Sequence, residues 1–448
     1  MSRNIDMTAG KLHKQIFAFS LPLILSNILQ VLFNMADVAV VGRFAGKEAL
    51  GSVGSTTILI VMFTGFLIGI GSGVNALTAL FVGAKSEKDV EETVHTSFAI
   101  SLIIGIILSL IGVFGAELFL RLLNTKDELF EGALLYVRIY FWGMPALAVY
   151  NFGNGVYSAI GNTKRPLAIL SLSGVLNVIL NLIFVINFGK GVAGVAWASV
   201  ISQYLSAILI MLSLLNCRES YGFSFSKLHL DMGKAKRMLA LGVPAGCQNA
   251  IFQFANLFIQ RGVNSFDAIV VEGNSAAANS DGLVYTVMAS FYTACTSFMS
   301  QNYGAKKKER VLKSFYWSML YSFLAGAILG ILLVICGKRF LCIFATDPNV
   351  LDAGMRRLKV MGFSYMISAF MDCTIAASRG LGRTGMPTLI VFLGSCVFRV
   401  IWVYTVFEYF HTIESLYLLY VFSWTITAIA EIWYFVKEWK IIKQEFAG

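Results

Sequence analysis

The chain repeats itself, because short motifs in its first half recur in its second half at a constant offset of 221 or 222 residues. Pro22, Asn27 and Asn34 return as Pro244, Asn249 and Asn256; Gly83-Ala84-Lys85 returns as Gly304-Ala305-Lys306; and Gly161 to Pro166 returns as Gly382 to Pro387. Solenoids and propellers have far shorter units. The sequence therefore predicts two related halves of about 220 residues each.

The apolar content of the chain predicts a polytopic membrane protein. Hydrophobic residues make up 57% of the sequence and charged residues only 13%, and about 20 apolar residues cross a bilayer as a helix. Twelve windows of this kind occur, at residues 16–42, 50–82, 93–116, 134–160, 166–188, 191–215, 238–260, 272–300, 311–336, 355–379, 387–410 and 415–436. The expected fold is all-α, with twelve transmembrane helices in two six-helix lobes.

The distribution of charge predicts the topology. Loops on one side of the expected membrane carry 22 Lys and Arg residues and loops on the other side carry 11. The richer side is cytoplasmic by the positive-inside rule, so we expect both termini in the cytoplasm and the protein in the bacterial plasma (inner) membrane. The net charge of +10 is then explained by topology, and no nucleic acid partner is indicated.

An even number of spans per half means that both halves enter the membrane in the same direction. Such parallel repeats are related by an axis along the membrane normal, with the substrate path at their interface. We expect an N-terminal lobe at residues 1–215, a cytoplasmic linker at 216–237, and a C-terminal lobe with its tail at 238–448. The first apolar run is too long for a cleavable signal peptide.

Proline positions predict helix starts and one kink. Pro22, Pro244, Pro166 and Pro387 recur in both halves, and we expect them near helix starts, where the missing N–H costs little. Pro145 has no repeat partner and lies inside the fourth apolar window. It is expected to kink that helix.

Taken together, these motifs resemble the multidrug and toxic compound extrusion family. The resemblance rests on Pro22, Asn34 and Asp37 in the first span, the two Gly-Ala-Lys turns, the turn from Arg379 to Pro387, and the Asn177 and Asn181 pair in the fifth span. It covers nearly the whole chain. It implies a twelve-helix secondary transporter that expels amphipathic, often cationic compounds in exchange for protons or sodium ions.

Asp37 is the first candidate for ion coupling. An acid inside a membrane span is costly and persists mainly where it faces a cavity or a partner; a structural role as a backbone cap is the alternative. The resemblance also places the coupling acid of the family at this position, and assigns the cation site further to Asn34, Asn177, Asn181 and Ser199. Asn181 stands where many members have an acid, which leaves one carboxylate fewer and favours a proton over sodium.

A second polar group is expected in the C-terminal half. It contains Asp372, Asp281, Gln253 and Arg399, all inside apolar windows. Asp372 is either a coupling acid or the partner of a base such as Arg399. Asp281 either lines the cavity or lies at its outer rim. Arg399 either forms a structural ion pair or selects the charge of the substrate.

Aromatic and methionine side chains are the candidates for substrate contacts, because they suit varied flat cations. They are Tyr140 and Met144 in the fourth span, and Tyr285, Met288 and Tyr292 in the eighth.

The sequence predicts a transporter and no enzyme. The stretch from Gly42 to Glu48 is one residue short of a phosphate loop and lacks its Ser or Thr. The seven cysteines lack metal-ligand spacing. We therefore expect an antiporter for small molecules, with no cofactor or metal site, that acts as a monomer in the lipid bilayer. The alternative is a flippase for lipid-linked sugars or similar lipid-like substrates.

Overall fold

A computed structural model describes residues 4–446, and this part of the chain is built from helices. The α-helices are α1 (Leu12–Val40), α2 (Lys47–Gly83), α3 (Glu87–Leu122), α4 (Asp127–Phe141), α5 (Met144–Ala159), α6 (Lys164–Leu182), α7 (Gly191–Leu215), α8 (Met232–Val263), α9 (Ala268–Gly304), α10 (Lys308–Leu341), α11 (Pro348–Gly380), α12 (Gly385–Val391), α13 (Phe398–Trp402), α14 (Glu408–Phe410) and α15 (Ile413–Glu445). Four π-helical segments continue some of these helices, namely Val41–Ala45, Ile183–Asn187, Phe392–Val397 and Val403–Phe407.

The helices have the length and apolarity of a multi-pass membrane protein. Among the described residues, nine helices are long and apolar enough to cross a membrane, and the bent pair α4 and α5 makes a tenth. Helices α8 and α9 are comparably long, with 32 and 37 residues, but are not among these nine. The expected all-α polytopic fold is confirmed.

Two of the proline expectations are confirmed and one is wrong. The chain bends by 48° between α4 and α5, and Pro145 lies at the start of α5, as expected for a kink. Pro166 and Pro387 lie in the first turn of α6 and α12. Pro22 and Pro244, however, lie inside α1 and α8. Both helices begin about ten residues before the proline, because polar and basic residues there extend the helix out of the apolar window.

The repeated glycine turns are helix C-caps. At the end of α2, Ser86 N donates to Phe81 O at 3.2 Å and Lys85 N donates to Val82 O at 3.1 Å. Lys85 adopts a left-handed conformation with φ of 56°. This is the hydrogen-bond pattern of a Schellman motif.

The same pattern closes three further helices at the repeated turns. Lys306 after α9 has a φ of 55°, Gly161 after α5 has a φ of 82°, and Gly382 after α11 has a φ of 80°; each is accompanied by the same two backbone hydrogen bonds. The motifs that revealed the repeat therefore end equivalent helices in the two halves.

The chain divides into two compact units whose bounds differ from the expected lobes. Among the described residues, unit 1 contains Asn4, Ile5 and Leu25–Ala250, and unit 2 contains Asp6–Ile24 and residues 251–446. The first part of α1 thus packs in unit 2, and the first part of α8 packs in unit 1. Each of these two helices therefore contributes residues to both units, whereas the expected boundary was the linker at 216–237.

In unit 1, α8 packs on α2 through glycines. A Cβ atom added to Gly69 would lie 2.2 Å from the backbone nitrogen of Gly246, and one added to Gly73 would lie 2.6 Å from the backbone nitrogen of Gly242. Asn249 Nδ2 donates to Gly65 O at 2.8 Å. Small residues at this spacing let two helix backbones touch.

In unit 2, the first part of α1 packs on α9 and α10. The rings of Phe19 and Phe298 meet edge to face at 5.6 Å between centroids, and Tyr321 donates to His13 O at 3.2 Å. The residues just before α1 are held by Arg310, which donates to the carbonyl oxygens of Met7, Ala9 and Gly10 at 2.9–3.0 Å. Met7 is fully buried.

Candidate cation-coupling site

Asp37 lies near the end of α1, and its carboxylate is held by neutral groups of unit 1. Asn181 Nδ2 donates to Asp37 Oδ1, and the Ser199 hydroxyl hydrogen-bonds the same carboxylate. Asn181 Nδ2 also donates to Asn177 Oδ1 at 3.3 Å. Asn177, Asn181 and Ser199 are buried. The structure thus brings four of the five expected residues into one hydrogen-bonded group.

Asn34, the fifth expected residue, is exposed one helical turn before Asp37. It is not part of this hydrogen-bonded group. Two tyrosines of α4 that were not expected at the cation site, Tyr136 and Tyr140, interact electrostatically with Asp37. Tyr140 was expected to contact substrate.

The charge of Asp37 has no direct basic partner. Within residues 4–446, no ion pair of 4.0 Å or less involves it. Asn181 Oδ1 is buried and accepts no hydrogen bond from the described residues. A carboxylate with only neutral partners can gain a proton or a small cation without breaking an ion pair.

Irregular helix geometry lies beside the site. The π-helical segment Val41–Ala45 begins four residues after Asp37, and the segment Ile183–Asn187 begins two residues after Asn181. π-Helical turns inside α-helices occur frequently at functional sites. Asp37 and Asn181, which form the carboxylate–amide contact, therefore both lie next to backbone that departs from the regular α-helix.

Asp281 of unit 2 belongs to a closed network. Arg357 Nη2 forms an ion pair with Asp281 Oδ2, and Arg357 Nη1 donates to Asn274 Oδ1 at 2.9 Å. Tyr365 donates to Asp281 Oδ1 at 2.5 Å. The network joins α9 to α11, and in it the charges of Asp281 and Arg357 neutralise each other.

Arg357 was not expected in this role. Helical periodicity could have indicated that Arg357 faces the protein interior. Arg357, Met361 and Tyr365 are spaced four residues apart and therefore share one face of α11. All three are buried.

Asp372 lies buried in α11 without a direct base. It interacts electrostatically with Arg379 and Arg399, but among the described residues neither forms an ion pair with it within 4.0 Å. Glu431 of α15 is fully buried. It interacts with both Asp372 and Arg379. The pairing of Asp372 with Arg399, one of the two alternatives, is therefore electrostatic only.

Arg399 is enclosed by polar and aromatic side chains. Its Nε donates to Ser423 Oγ at 3.2 Å and its Nη1 donates to Asn256 Oδ1 at 3.4 Å. The guanidinium carbon lies 4.7 Å from the ring centroid of Tyr420. Gln253, the remaining member of the expected polar group, is half-buried one turn before Asn256 on α8.

The five residues that were expected to contact substrate differ in solvent exposure. Met144 and Met288 are fully buried in the cores of unit 1 and unit 2, so neither presents a surface in this structure. Tyr292 is buried, whereas Tyr140 is half-buried and Tyr285 is exposed. Tyr285 and Tyr292 stand 6.2 Å apart between ring centroids.

The MatE family model matches the chain twice, over residues 22–183 and again over residues 244–405. The chain belongs to the MatE family. The two matches begin 222 residues apart, which confirms the predicted repeat, and the resemblance to the multidrug and toxic compound extrusion family is confirmed as well.

Known relatives of this MatE chain are transporters or multidrug resistance proteins. The probable multidrug resistance protein YpnP of Bacillus subtilis is 28% identical over 360 residues, which cover 80% of each chain. A FAD transporter of Shewanella oneidensis is 22% identical over 340 residues, which cover 74% of each chain. A solved MOP superfamily transporter from Pyrococcus furiosus has the same fold, with a TM-score of 0.92, 20% identity and 99% of each chain covered.

MatE proteins are transporters and not enzymes, so this multi-pass membrane protein is a transporter of the multidrug efflux family. Its substrates are small molecules.

Proposed function

We propose that this MatE protein is a secondary antiporter that exports amphipathic, often cationic compounds in exchange for protons by alternating access. Asp37 binds the coupling ion, and Asn177, Asn181 and Ser199 hold its carboxylate. Sodium is the second candidate ion, because amide and hydroxyl oxygens can supply further ligands to a hard cation.

The observation that supports the proposal is the set of neutral partners around Asp37. A charged side chain inside a membrane costs about 2.5–3.5 kcal/mol on insertion scales, and Asp37 has no ion pair within 4.0 Å among the described residues to offset that cost. Binding of a proton or a cation removes the unbalanced charge. Asp281 differs because Arg357 already neutralises it.

Uptake of a fluorescent cationic dye into inverted vesicles tests this function. Dye is expected to accumulate under an imposed proton gradient, and Asp37→Asn is expected to abolish the accumulation. Asp267→Asn is the matched control, because Asp267 caps α9 by accepting from Val270 N at 2.9 Å and Asn is an equally good N-cap. Accumulation that follows a sodium gradient instead would assign sodium as the coupling ion.

Absence of dye transport would change the proposed substrate class. If no dye moves under either gradient and the protein is shown to be folded, the flippase for lipid-linked sugars becomes the better proposal. Full transport by Asp37→Asn would remove Asp37 from the mechanism.

The charge of the substrate is a separate part of the proposal. The relative from Shewanella oneidensis is named for FAD, which carries phosphate groups, so the exported compounds need not all be cations.

We also propose that the protein works as a monomer in the bacterial plasma membrane, with both termini in the cytoplasm and with no cofactor.

A further inference from the structure

We propose that Arg399, with Asn256, forms a binding site in unit 2 for a phosphate group of an amphipathic substrate. The proposal rests on the transport function above and names a substrate class for it.

The guanidinium of Arg399 is buried but only partly used. Its side chain is 2% exposed, and its hydrogen bonds involve Nε and Nη1. A guanidinium has five N–H donors in a fixed fork. In the described part of the chain, Nη2 has no acceptor, so its two N–H donors and the second N–H of Nη1 remain for an oxyanion.

No acid neutralises Arg399 by direct contact. Within residues 4–446, none of the ion pairs of 4.0 Å or less includes it. Among the acids, only Asp372 contributes an electrostatic interaction with it, and Asp372 also faces Arg379. Removing one partner of a buried charge pair is strongly unfavourable, so a buried cation without a contacting anion favours an anionic ligand.

Arg357 is an internal comparison for this argument. It is also buried in unit 2, and both guanidinium groups face the ring of Tyr420, at 5.5 Å for Arg357 and 4.7 Å for Arg399. Arg357 has Asp281 as its ion-pair partner. The two arginines share this aromatic neighbour, but of the two only Arg357 has a contacting carboxylate.

Asn256 connects the buried guanidinium of Arg399 to the protein surface. Its side chain is exposed on α8, and its Oδ1 accepts the 3.4 Å hydrogen bond from Arg399 Nη1. A ligand phosphate at Asn256 therefore comes within hydrogen-bonding reach of the guanidinium. Its amide Nδ2 supplies a further donor.

The repeat places this site at a related position in the chain. Asn256 corresponds to Asn34 at an offset of 222, and Asn34 lies one turn from Asp37. In one half of the chain this asparagine accompanies an acid, and in the other half it accompanies a base. The two units are therefore suited to ligands of opposite charge.

Binding of two flavins to the purified full-length protein in detergent tests the site. Riboflavin and FMN share one ring system and differ by a phosphate group, and both are fluorescent. We expect FMN to bind at least about tenfold more tightly than riboflavin, since a charge-assisted bidentate pair is among the stronger polar contacts. Equal affinities, or no measurable binding of FMN, would overturn the proposal.

Variants separate a binding role from a structural one. Arg399→Gln is expected to lower FMN affinity to that of riboflavin and to leave riboflavin binding unchanged, whereas Arg399→Lys keeps part of the preference. Arg261→Gln is the matched control, because Arg261 lies on α8 and donates to the Tyr404 hydroxyl at 3.2 Å. An equal loss for both flavins in Arg399→Gln would show that the residue only supports the fold.

A second variant keeps the test valid if Arg399→Gln fails to fold. Asn256→Asp places a carboxylate beside the guanidinium, neutralises the buried charge, and is expected to weaken FMN binding selectively. Unchanged FMN affinity in this variant would contradict the proposal.

Competition by phosphatidylglycerol identifies the source of the phosphate. Displacement of FMN assigns the site to lipid headgroups, and lack of displacement assigns it to soluble substrates; both outcomes require the phosphate site. All of these measurements use no ion gradient. Failure of Asp37 to couple transport would therefore leave them unaffected, and absence of a phosphate site would leave uptake of a cationic dye unaffected.

Discussion

The stoichiometry of coupling follows from the number of carboxylates at the site. In unit 1, Asp37 is held by neutral partners only, so this site can bind one proton per transport cycle. One pH unit corresponds to about 1.36 kcal/mol per proton, which is about a tenfold concentration ratio. With the membrane potential held at zero, the protein should concentrate dye about tenfold per pH unit and no further.

The assay measures steady-state accumulation in inverted vesicles whose interior is one pH unit more acidic than the bath. Potassium and valinomycin hold the potential at zero. Asp37→Asn should give no accumulation, because the amide cannot bind a proton. Asp372→Asn should retain the tenfold ratio, because Asp372 lies in unit 2 and outside the hydrogen-bonded group of Asp37.

Two results would refute this reasoning. An accumulation near one-hundredfold in the unmodified protein would require a second proton, for which Asp372 and Glu431 are buried acids of unit 2. Retention of the tenfold ratio by Asp37→Asn would show that coupling does not use Asp37. The melting temperature of each variant in detergent establishes that a loss of transport is not a loss of fold.

Three further predictions concern stability. Gly69→Ala should lower the melting temperature strongly, because its Cβ would lie 2.2 Å from opposing backbone, whereas Gly54→Ala, whose Cβ meets nothing within 4 Å, should not. Arg357→Gln should reduce the free energy of unfolding in SDS titration by about 3 kcal/mol, because it leaves Asp281 without its counter-charge; a change below about 1 kcal/mol would contradict this. Partial burial opposes ionisation of Asp6, but hydrogen bonds from the threonine two residues on and two nearby basic side chains outweigh it and hold its pKa below the ordinary value. Its stabilising contribution is therefore complete above the ordinary carboxyl pKa and is lost as pH falls through the lowered one. The protection factors of residues 6–10 against hydrogen exchange should therefore fall in that window, and Asp6→Asn should remove this fall.

Much of the architecture was predictable because hydropathy and turn chemistry are local properties. The apolar windows fall within the observed helices, and the kink at Pro145 is found between α4 and α5. The prediction failed for Pro22 and Pro244, since polar residues extend α1 and α8 beyond the apolar windows. Apolarity marks where a helix can lie in the membrane but not where its backbone hydrogen bonds begin.

The sequence by itself determined the helical spans, the two related halves and the identity of the acids inside the membrane, because each depends on residue type and spacing along the chain. Only the tertiary structure decided which polar groups meet. Asp281 pairs with Arg357, which comes from a different helix, and Arg399 lacks a contacting carboxylate although pairing with Asp372 was one of the alternatives. Such pairings depend on the rotation of each helix about its axis and on the packing of its neighbours. Both properties arise from contacts between residues far apart in the chain.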